Sequence, residues 1–263
     1  MAEQTLQQRL QQCSEWPSRF GAEEWTLYHR VIAACHDRNI PFAIGGALAA
    51  LTYAGGWRNT KDLDIYALKQ DRDTLIEILS SLGFEDYFSV LPYDRRWIYR
   101  AHQGDIIVDV IWAMANQRAQ VDLAWLRGPE IEVDGERIRL LAPEYSLWSK
   151  LYVLQRDRCD WPDCMNILYG VGPEINWPEL IANVGFDLPL LAGLVSVFGW
   201  IAPARARELP QFVWGKLRLH PPMEAIDEST ARERTSFLDT RPWFFPFQNS
   251  HGDASGSSGA QAC

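Results

Sequence analysis

Asp109 lies inside the run Ile106-Ile107-Val108-Asp109-Val110-Ile111-Trp112, and no other residue constrains the fold of this chain as strongly. A run this apolar reads as a buried strand. A carboxylate within it is costly unless a partner compensates its charge. Either the fold brings a counter-charge to Asp109, or Asp109 marks a sheet edge and discourages aggregation. A second acidic pair sharpens the choice. Asp62 and Asp64 stand two apart in the strand pattern Asp62-Leu63-Asp64-Ile65-Tyr66-Ala67, and the two-residue period of a strand puts both carboxylates on one face. Two such groups repel each other, so they need a cation or a raised pKa. Oxygen ligands with no His or Cys among them point to a hard divalent ion such as Mg2+. Alone, an Asp-x-Asp is equally consistent with a solvated strand surface. Its combination with Asp109 in a neighbouring strand would make a three-carboxylate metal site.

Local pattern supplies the surrounding elements. Residues 1 to 15 read as a polar amphipathic helix, and Glu23 to Arg38 as a second, with Trp25, Tyr28, Ile32 and Cys35 at helical spacing. Pro41 to Ile44 is a short strand running into Gly45-Gly46. Ala47 to Tyr53 follows as a helix closed by Gly55-Gly56. A Gly-Gly turn at a helix start exposes backbone N–H groups suited to a phosphate oxygen, although it is also an ordinary turn. Asp71 suits the N-cap of a helix over Arg72 to Leu82. Strands over 96–101 and 105–113 are joined through His102-Gln103-Gly104. Further on come a short helix over 121–127 and a hairpin over 131–140 turning at Asp134-Gly135. Pro143 starts a long helix to about Arg158, with Leu147, Leu151 and Leu154 on one face. Helices over 160–168, 177–184 and 188–202 complete the second half. The fold class is therefore α+β, a mixed sheet with flanking helices followed by a mostly helical C-terminal half.

Composition narrows the function classes. With 263 residues, 47% hydrophobic and 22% charged, the chain is long enough to bury a large core without disulfide staples. Five scattered cysteines (Cys13, Cys35, Cys159, Cys164, Cys263) include no C-x-x-C pair and read as free thiols. A formal net charge of −9 excludes nucleic-acid binding by bulk electrostatics, leaving only a local basic patch. The N-terminus shows no basic-then-apolar leader, and the apolar stretch from Leu188 to Ala202 is broken by Pro189, Gly193, Ser196 and Gly199. The expectation is a cytoplasmic protein without a membrane span. Residues from about 248 onward are expected to be disordered. The aromatic segment Trp243 to Phe247 is expected to dock back on the body.

The motifs Ile44-Gly45-Gly46-Ala47, Gly56-Trp57-Arg58-Asn59-Thr60-Lys61-Asp62-Leu63-Asp64 and Val108-Asp109-Val110, in that order, resemble the DNA-polymerase-β-like nucleotidyltransferase superfamily. The Gly-Gly turn with the Arg-x-Thr-x-Asp-x-Asp approach is most similar to its AbiEii-type branch, which includes toxins of type IV toxin–antitoxin systems. The resemblance covers about residues 40–115, and more weakly Ala142 to Asp163, where Lys150 precedes Asp160 and Asp163. It implies an N-terminal helical arm over 1–20, a nucleotidyltransferase core over 21–118, a helical domain over 119–220 and an extended tail over 221–263. It further implies that Asp62, Asp64 and Asp109 hold two Mg2+ ions and that Asp109 helps deprotonate the acceptor. Gly45 and Gly46 would meet the phosphates of the NTP substrate through their backbone. Arg58 and Thr60 would line the same mouth, and Lys150 would contact the triphosphate. Two departures stand out. Gly46 replaces the serine common after the first glycine, and Cys159 stands where lysine is frequent, which leaves Asp160 and Asp163 equally readable as helix caps.

The function so implied is Mg2+-dependent transfer of an NMP from an NTP, such as ATP, to a hydroxyl acceptor. The acceptor is tRNA, as for type IV toxins with a cognate antitoxin partner, or a small hydroxylated molecule. A tRNA acceptor would want a basic groove, and the candidates are Arg95, Arg96, Arg100, Arg205, Arg207, Lys216, Arg218 and His220, all equally readable as solvated positions. A different class, a nucleotidyltransferase-fold partner module without catalysis, is the alternative. A metal-dependent nuclease or phosphatase fits less well, because no general-base histidine accompanies the carboxylates.

Overall fold

The computed structural model describes residues 6–12, 15–56, 60–223, 226–239 and 243–244. Its elements in chain order begin with α1 (Leu6–Gln12), α2 (Ala22–Asp37), β1 (Phe42–Ile44), α3 (Gly46–Ala54), β2 (Asp62–Ala67) and α4 (Arg72–Ser81). They continue with β3 (Glu85–Asp86), β4 (Ile98–Gln103), β5 (Ile106–Ile111), β6 (Glu130–Val133) and β7 (Glu136–Arg139). The helical half holds α5 (Pro143–Leu151), α6 (Trp161–Val171), α7 (Trp177–Val184), α8 (Leu188–Ile201), α9 (Pro203–Ala206), α10 (Gln211–Leu217) and α11 (Glu228–Ser236).

Five strands make one mixed sheet in the order β1-β2-β5-β4-β3. Only the central β2–β5 pair is parallel, and the other pairings are antiparallel. The alternation of β2 divides the sheet into two faces. Leu63, Ile65, Val108 and Val110 are fully buried and belong to one continuous core with Val31 and Ile32 of α2 and Leu75 and Leu79 of α4. Each such side chain contributes about 1.5–3 kcal/mol of burial. The opposite face carries Asp62, Asp64 and Asp109 and is roofed by the helical half. This is the α+β class read from the pattern.

Packing explains most of the remaining architecture. α1 lies on the β6–β7 hairpin, where the Gln11 carboxamide accepts from Glu132 N at 2.9 Å and donates to Glu132 O at 2.7 Å. The hairpin turns at Asp134-Gly135, as expected, and Trp25 Nε1 donates to Asp134 Oδ2 at 3.0 Å. Trp16, buried, donates to Thr52 Oγ1 at 3.2 Å and ties the N-terminal segment to α3. Trp243 and Phe244 do dock on the body. Phe244 is fully buried against Tyr169 and Phe198, and Asn166 donates to Trp243 O. Residues 245–263, including the expected disordered tail, lie outside the described residues. Cys35, Cys159 and Cys164 are free thiols.

Several expectations are corrected. α5 ends at Leu151 rather than Arg158, because Trp161 Nε1 takes the Leu151 carbonyl at 3.1 Å and the chain doubles back through a Leu154–Cys159 bridge. Leu154, expected on the buried face, is exposed. Asp71 caps nothing. It already has helical backbone angles within a short turn over Lys69–Asp71, so its carboxylate is not aimed at the N–H groups of α4. The helix expected over 121–127 shrinks to one turn at Trp125–Arg127. Val121 N instead donates to Trp112 O at 2.8 Å and holds the preceding chain extended. The hairpin between β4 and β5 turns at Gly104-Asp105 rather than His102 to Gly104, and β3 was not foreseen. The helical run Trp177–Ile201 has 25 residues and a mean hydropathy of 1.8 over 18 of them, enough by length and composition to cross a membrane. It is broken at Gly185–Asp187 into α7 and α8, and α8 buries Leu191, Leu194, Val195, Phe198 and Ile201 in the protein core.

The contact between α3 and α6 sets how the helical half sits on the sheet. A Cβ at Gly170 would lie 2.0 Å from the Tyr53 carbonyl oxygen, so the two helices approach through bare backbone. Gly170→Ala is expected to force them apart and lower stability by about 1–3 kcal/mol, read as a reduced urea midpoint at unchanged m-value.

Candidate active site

Strand register brings the acidic residues together. On the face opposite the core, Asp64 of β2 is paired with Asp109 of β5, and Asp109 in turn with Arg100 of β4. The next rung along the same face is Tyr66, Ile111 and Ile98. A charged row thus borders an apolar one. One ligand oxygen from each of Asp62, Asp64 and Asp109 lies within 4.8 Å of the others. Arg100 forks onto Asp109, with Nε at 2.8 Å from Oδ1 and Nη2 at 2.5 Å from Oδ2, and Nη2 also reaches Asp62 Oδ2 at 3.4 Å.

Among the described residues, three carboxylates face one contacting guanidinium, and the titration directions register the excess negative charge. Enclosure by protein, then Asp62, then Asp109 push the Asp64 carboxyl well above the ordinary carboxylate range. Burial also raises Asp109, and Arg100 offsets this only in part. An all-oxygen donor set with uncompensated charge fits a hard divalent cation.

The Gly45-Gly46 turn is built around Asp64. Gly46 has φ +56°, and a Cβ there would sit 1.6 Å from Asp64 Oδ2. Any side chain would therefore be strained in backbone and would collide with the carboxylate. Gly45 N donates to Asp64 O at 2.9 Å, and a Cβ on Gly45 would enter the Tyr66 ring. The start of α3 is thereby fastened to β2, with Gly46 and Ala47 lining the cleft. Thr60 Oγ1 lies 3.3 Å from Asp62 Oδ1, while Arg58 falls outside the described residues.

The opposite wall comes from α5, the returning loop and α6. Lys150, buried, donates to Asp160 at 3.1 Å and Asp163 at 2.8 Å. Desolvation opposes its charge, yet the two carboxylates hold its pKa above the ordinary lysine value. Asp160 makes no capping bond to α6. It binds Arg158 in a fork at 2.9 and 3.0 Å and Lys150 besides. Asp62, Asp64, Asp109, Thr60, Lys150 and Arg158 all line one cleft of about 490 Å³. Its apolar part includes Tyr66, Ile111, Met114 and Trp125, and Trp125 stacks on Tyr66 at 6.2 Å.

Arg100, by sequence a candidate for a basic groove or a solvated position, instead faces Asp109. Cross-strand register with Asp109 was the signal that would have moved it to the centre of the site. Other groove candidates are spoken for: Arg95 pairs with Asp86, Arg96 with Asp94 and Arg205 with Glu208. Arg207, Lys216, Arg218 and His220 are exposed. Arg158, Tyr66 and Trp125 carried no pattern that could have singled them out.

Two outcomes test these electrostatics. Arg100→Met leaves Asp109 buried without its cation and is expected to cost about 2–4 kcal/mol in chelator, somewhat below a fully buried pair because Arg100 is 32% exposed. Adding Asp109→Asn recovers most of that loss in chemical denaturation. Because Asp64 has a folded pKa above its ordinary 3.8, folding takes up a proton. Its contribution is complete below that value and is lost as pH climbs through the folded pKa. Metal-free wild type therefore loses stability relative to Asp64→Asn as pH rises from about 4, and a constant difference between the two curves would contradict this assignment.

None of the curated proteins matches the chain significantly. Among solved structures, the antibiotic-resistance factor ANT(2'')-Ia in solution is 21% identical, with 70% of this chain and 96% of that one covered and a TM-score of 0.43. An antigenic nucleotidyltransferase-like protein from Paracoccidioides brasiliensis is 19% identical over 70% of this chain and 92% of its own, with a TM-score of 0.46. The lincomycin-bound lincosamide adenylyltransferase LnuA is 15% identical over 54% and 94%, with a TM-score of 0.41. The family described as uncharacterised nucleotidyltransferase matches residues 4–184, more than half of the chain and both walls of the cleft, and the protein belongs to that nucleotidyltransferase family.

Proposed function

We propose that this protein transfers an NMP from an NTP to the hydroxyl of a small acceptor, with Mg2+ held by Asp62, Asp64 and Asp109. The observation that carries the reading is the carboxylate cluster set against Gly46, whose missing side chain makes room for Asp64. Bound divalent ions would neutralise the triphosphate and the charge that develops during transfer.

The protein's own groups supply the rest. Gly46 presents its backbone N–H at the start of α3 to a phosphate oxygen, whereas the Gly45 N–H, expected to do the same, is already taken by Asp64 O at 2.9 Å. Thr60 orients Asp62 through its hydroxyl, and Arg58 belongs to the same mouth by sequence. Two of the three ammonium donors of Lys150 are committed to Asp160 and Asp163, leaving one for the nucleotide. Asp109 accepts the proton of the acceptor hydroxyl. The acceptor oxygen bonds to the α-phosphorus as the bond to the β-phosphate oxygen breaks, and pyrophosphate leaves with the electron pair.

A small acceptor is favoured over tRNA because the chain carries a net charge of −9 and three of the arginines proposed to track an RNA backbone, Arg95, Arg96 and Arg205, are paired with acids. A toxin of the AbiEii type acting on tRNA, with an antitoxin partner, would use the same chemistry. The test incubates each α-labelled NTP and Mg2+ with a panel of hydroxylated small molecules, aminoglycosides and lincosamides among them, and separately with total tRNA. Label on a small molecule, lost in Asp64→Ala, is the expected result. Label on tRNA would overturn the acceptor assignment. NTP binding without transfer to any acceptor would leave a nucleotide-binding partner module.

A further inference from the structure

The cleft contains a cation that neither the carboxylate site nor the Gly-Gly turn uses. Arg158 is an exposed part of the α5–α6 wall, with its side chain 66% accessible, yet its guanidinium is not loose. It sits on the turn that closes through Gln155 N to Arg158 O at 2.7 Å and the Leu154–Cys159 bridge. Nε and Nη2 fork onto Asp160 at 2.9 and 3.0 Å. Asp160, only 10% accessible, is held from behind by Lys150 at 3.1 Å, and Lys150 is itself anchored on Asp163. The chain of contacts runs from the body of α6, through Lys150 and Asp160, to a guanidinium at the cleft.

A guanidinium has five N–H donors, and the fork to Asp160 engages two of them. Three remain, on a group whose position is already set. Arg158 lines the same cleft as Asp62, Asp64 and Asp109, on the wall formed by the loop between α5 and α6. The other cations lining this cleft are differently placed. Among the described residues, Arg100 is spent on Asp109, Lys150 has two of its three donors on Asp160 and Asp163, and Lys61 adjoins Asp62 on the carboxylate side. A polyanion bound at the carboxylate cluster through divalent ions would project its far end toward the wall that carries Arg158.

We infer that Arg158 grips the terminal phosphates of the NTP, and hence the pyrophosphate that leaves, with Asp160 as its positioning residue. The inference rests on the nucleotidyltransferase reading above and extends it to what distinguishes a triphosphate from a monophosphate. A planar fork already fixed in place meets two phosphate oxygens at little further entropic cost, which an exposed lysine could not match. Asp160 lowers the net charge of this wall, but in exchange it removes the rotamer freedom of Arg158.

The test titrates the full-length protein and Arg158→Gln with each of the four NTPs, the matching NMPs and inorganic pyrophosphate, all with Mg2+. The variant is expected to bind the preferred NTP and pyrophosphate roughly tenfold to hundredfold more weakly, as for loss of charge-assisted hydrogen bonds, while NMP affinity changes little. Arg158→Lys should restore part of the loss. Asp160→Asn should weaken NTP binding less than Arg158→Gln, and the double variant should be no weaker than Arg158→Gln alone. Equal weakening of NTP and NMP, unchanged NTP binding, or strict additivity in the double variant would each overturn the inference. If wild type itself binds no NTP and no pyrophosphate, the nucleotidyltransferase reading fails and this inference fails with it.

Discussion

The rung Asp64–Asp109–Arg100 across three neighbouring strands is the constraint from which the rest of the structure follows. It places two carboxylates side by side in the middle of a sheet, where burial and mutual repulsion raise both pKa values. Among the described residues, Arg100 alone answers them directly, through a fork to Asp109. A sheet tolerates such a row because the centre of its other face is apolar. Leu63, Ile65, Val108 and Val110 alternate with the acids and are fully buried, so the same strands that bear the electrostatic cost supply the burial that offsets it. The parallel β2–β5 pairing is the decisive detail, since a one-residue slip in register would turn Asp109 into the core.

Around that rung the backbone is fitted tightly. Gly46 is where the carboxylate of Asp64 and the start of α3 compete for the same space, and the competition is resolved by having no side chain there. Because Gly45 is hydrogen bonded to Asp64 O, the orientation of α3 is set by the strand bearing the acids. α3 then meets α6 through the bare backbone at Gly170, and α6 carries Asp163, a partner of Lys150. A continuous series of contacts thus runs from the carboxylates to the far wall of the cleft.

The two walls are charged by different logics. On the sheet, acids outnumber the contacting cation, which is the condition for recruiting a divalent ion. On the helical side, Lys150 and Arg158 balance Asp160 and Asp163, and each acid serves to fix a base rather than to attract a metal. The apolar row of Tyr66, Ile111 and Ile98, covered by Trp125, gives the cleft a section where a flat or aliphatic part of a ligand avoids water.

The sequence by itself determined those features that depend on local periodicity. Asp62 and Asp64 had to share a face of a strand, Asp109 had to be compensated, and the order strand, Gly-Gly, helix, Asp-x-Asp, apolar strand was enough to indicate the α+β architecture. Even the docking of Trp243 and Phe244 was legible, because so apolar a segment resists solvation. What only the tertiary structure decided is what depends on partners distant in sequence. The end of α5 was set by Trp161 capturing the Leu151 carbonyl, against the helical pattern continuing toward Arg158. Asp71 lost its capping role to a preceding turn that no residue pattern announces. Arg100 looked like an ordinary surface arginine, because the acid it meets lies across a hairpin, and Asp160, which meets Arg158, is held in place by Lys150 from α5. Charge pairing over such separations is a property of register and packing, and local sequence carries no record of either.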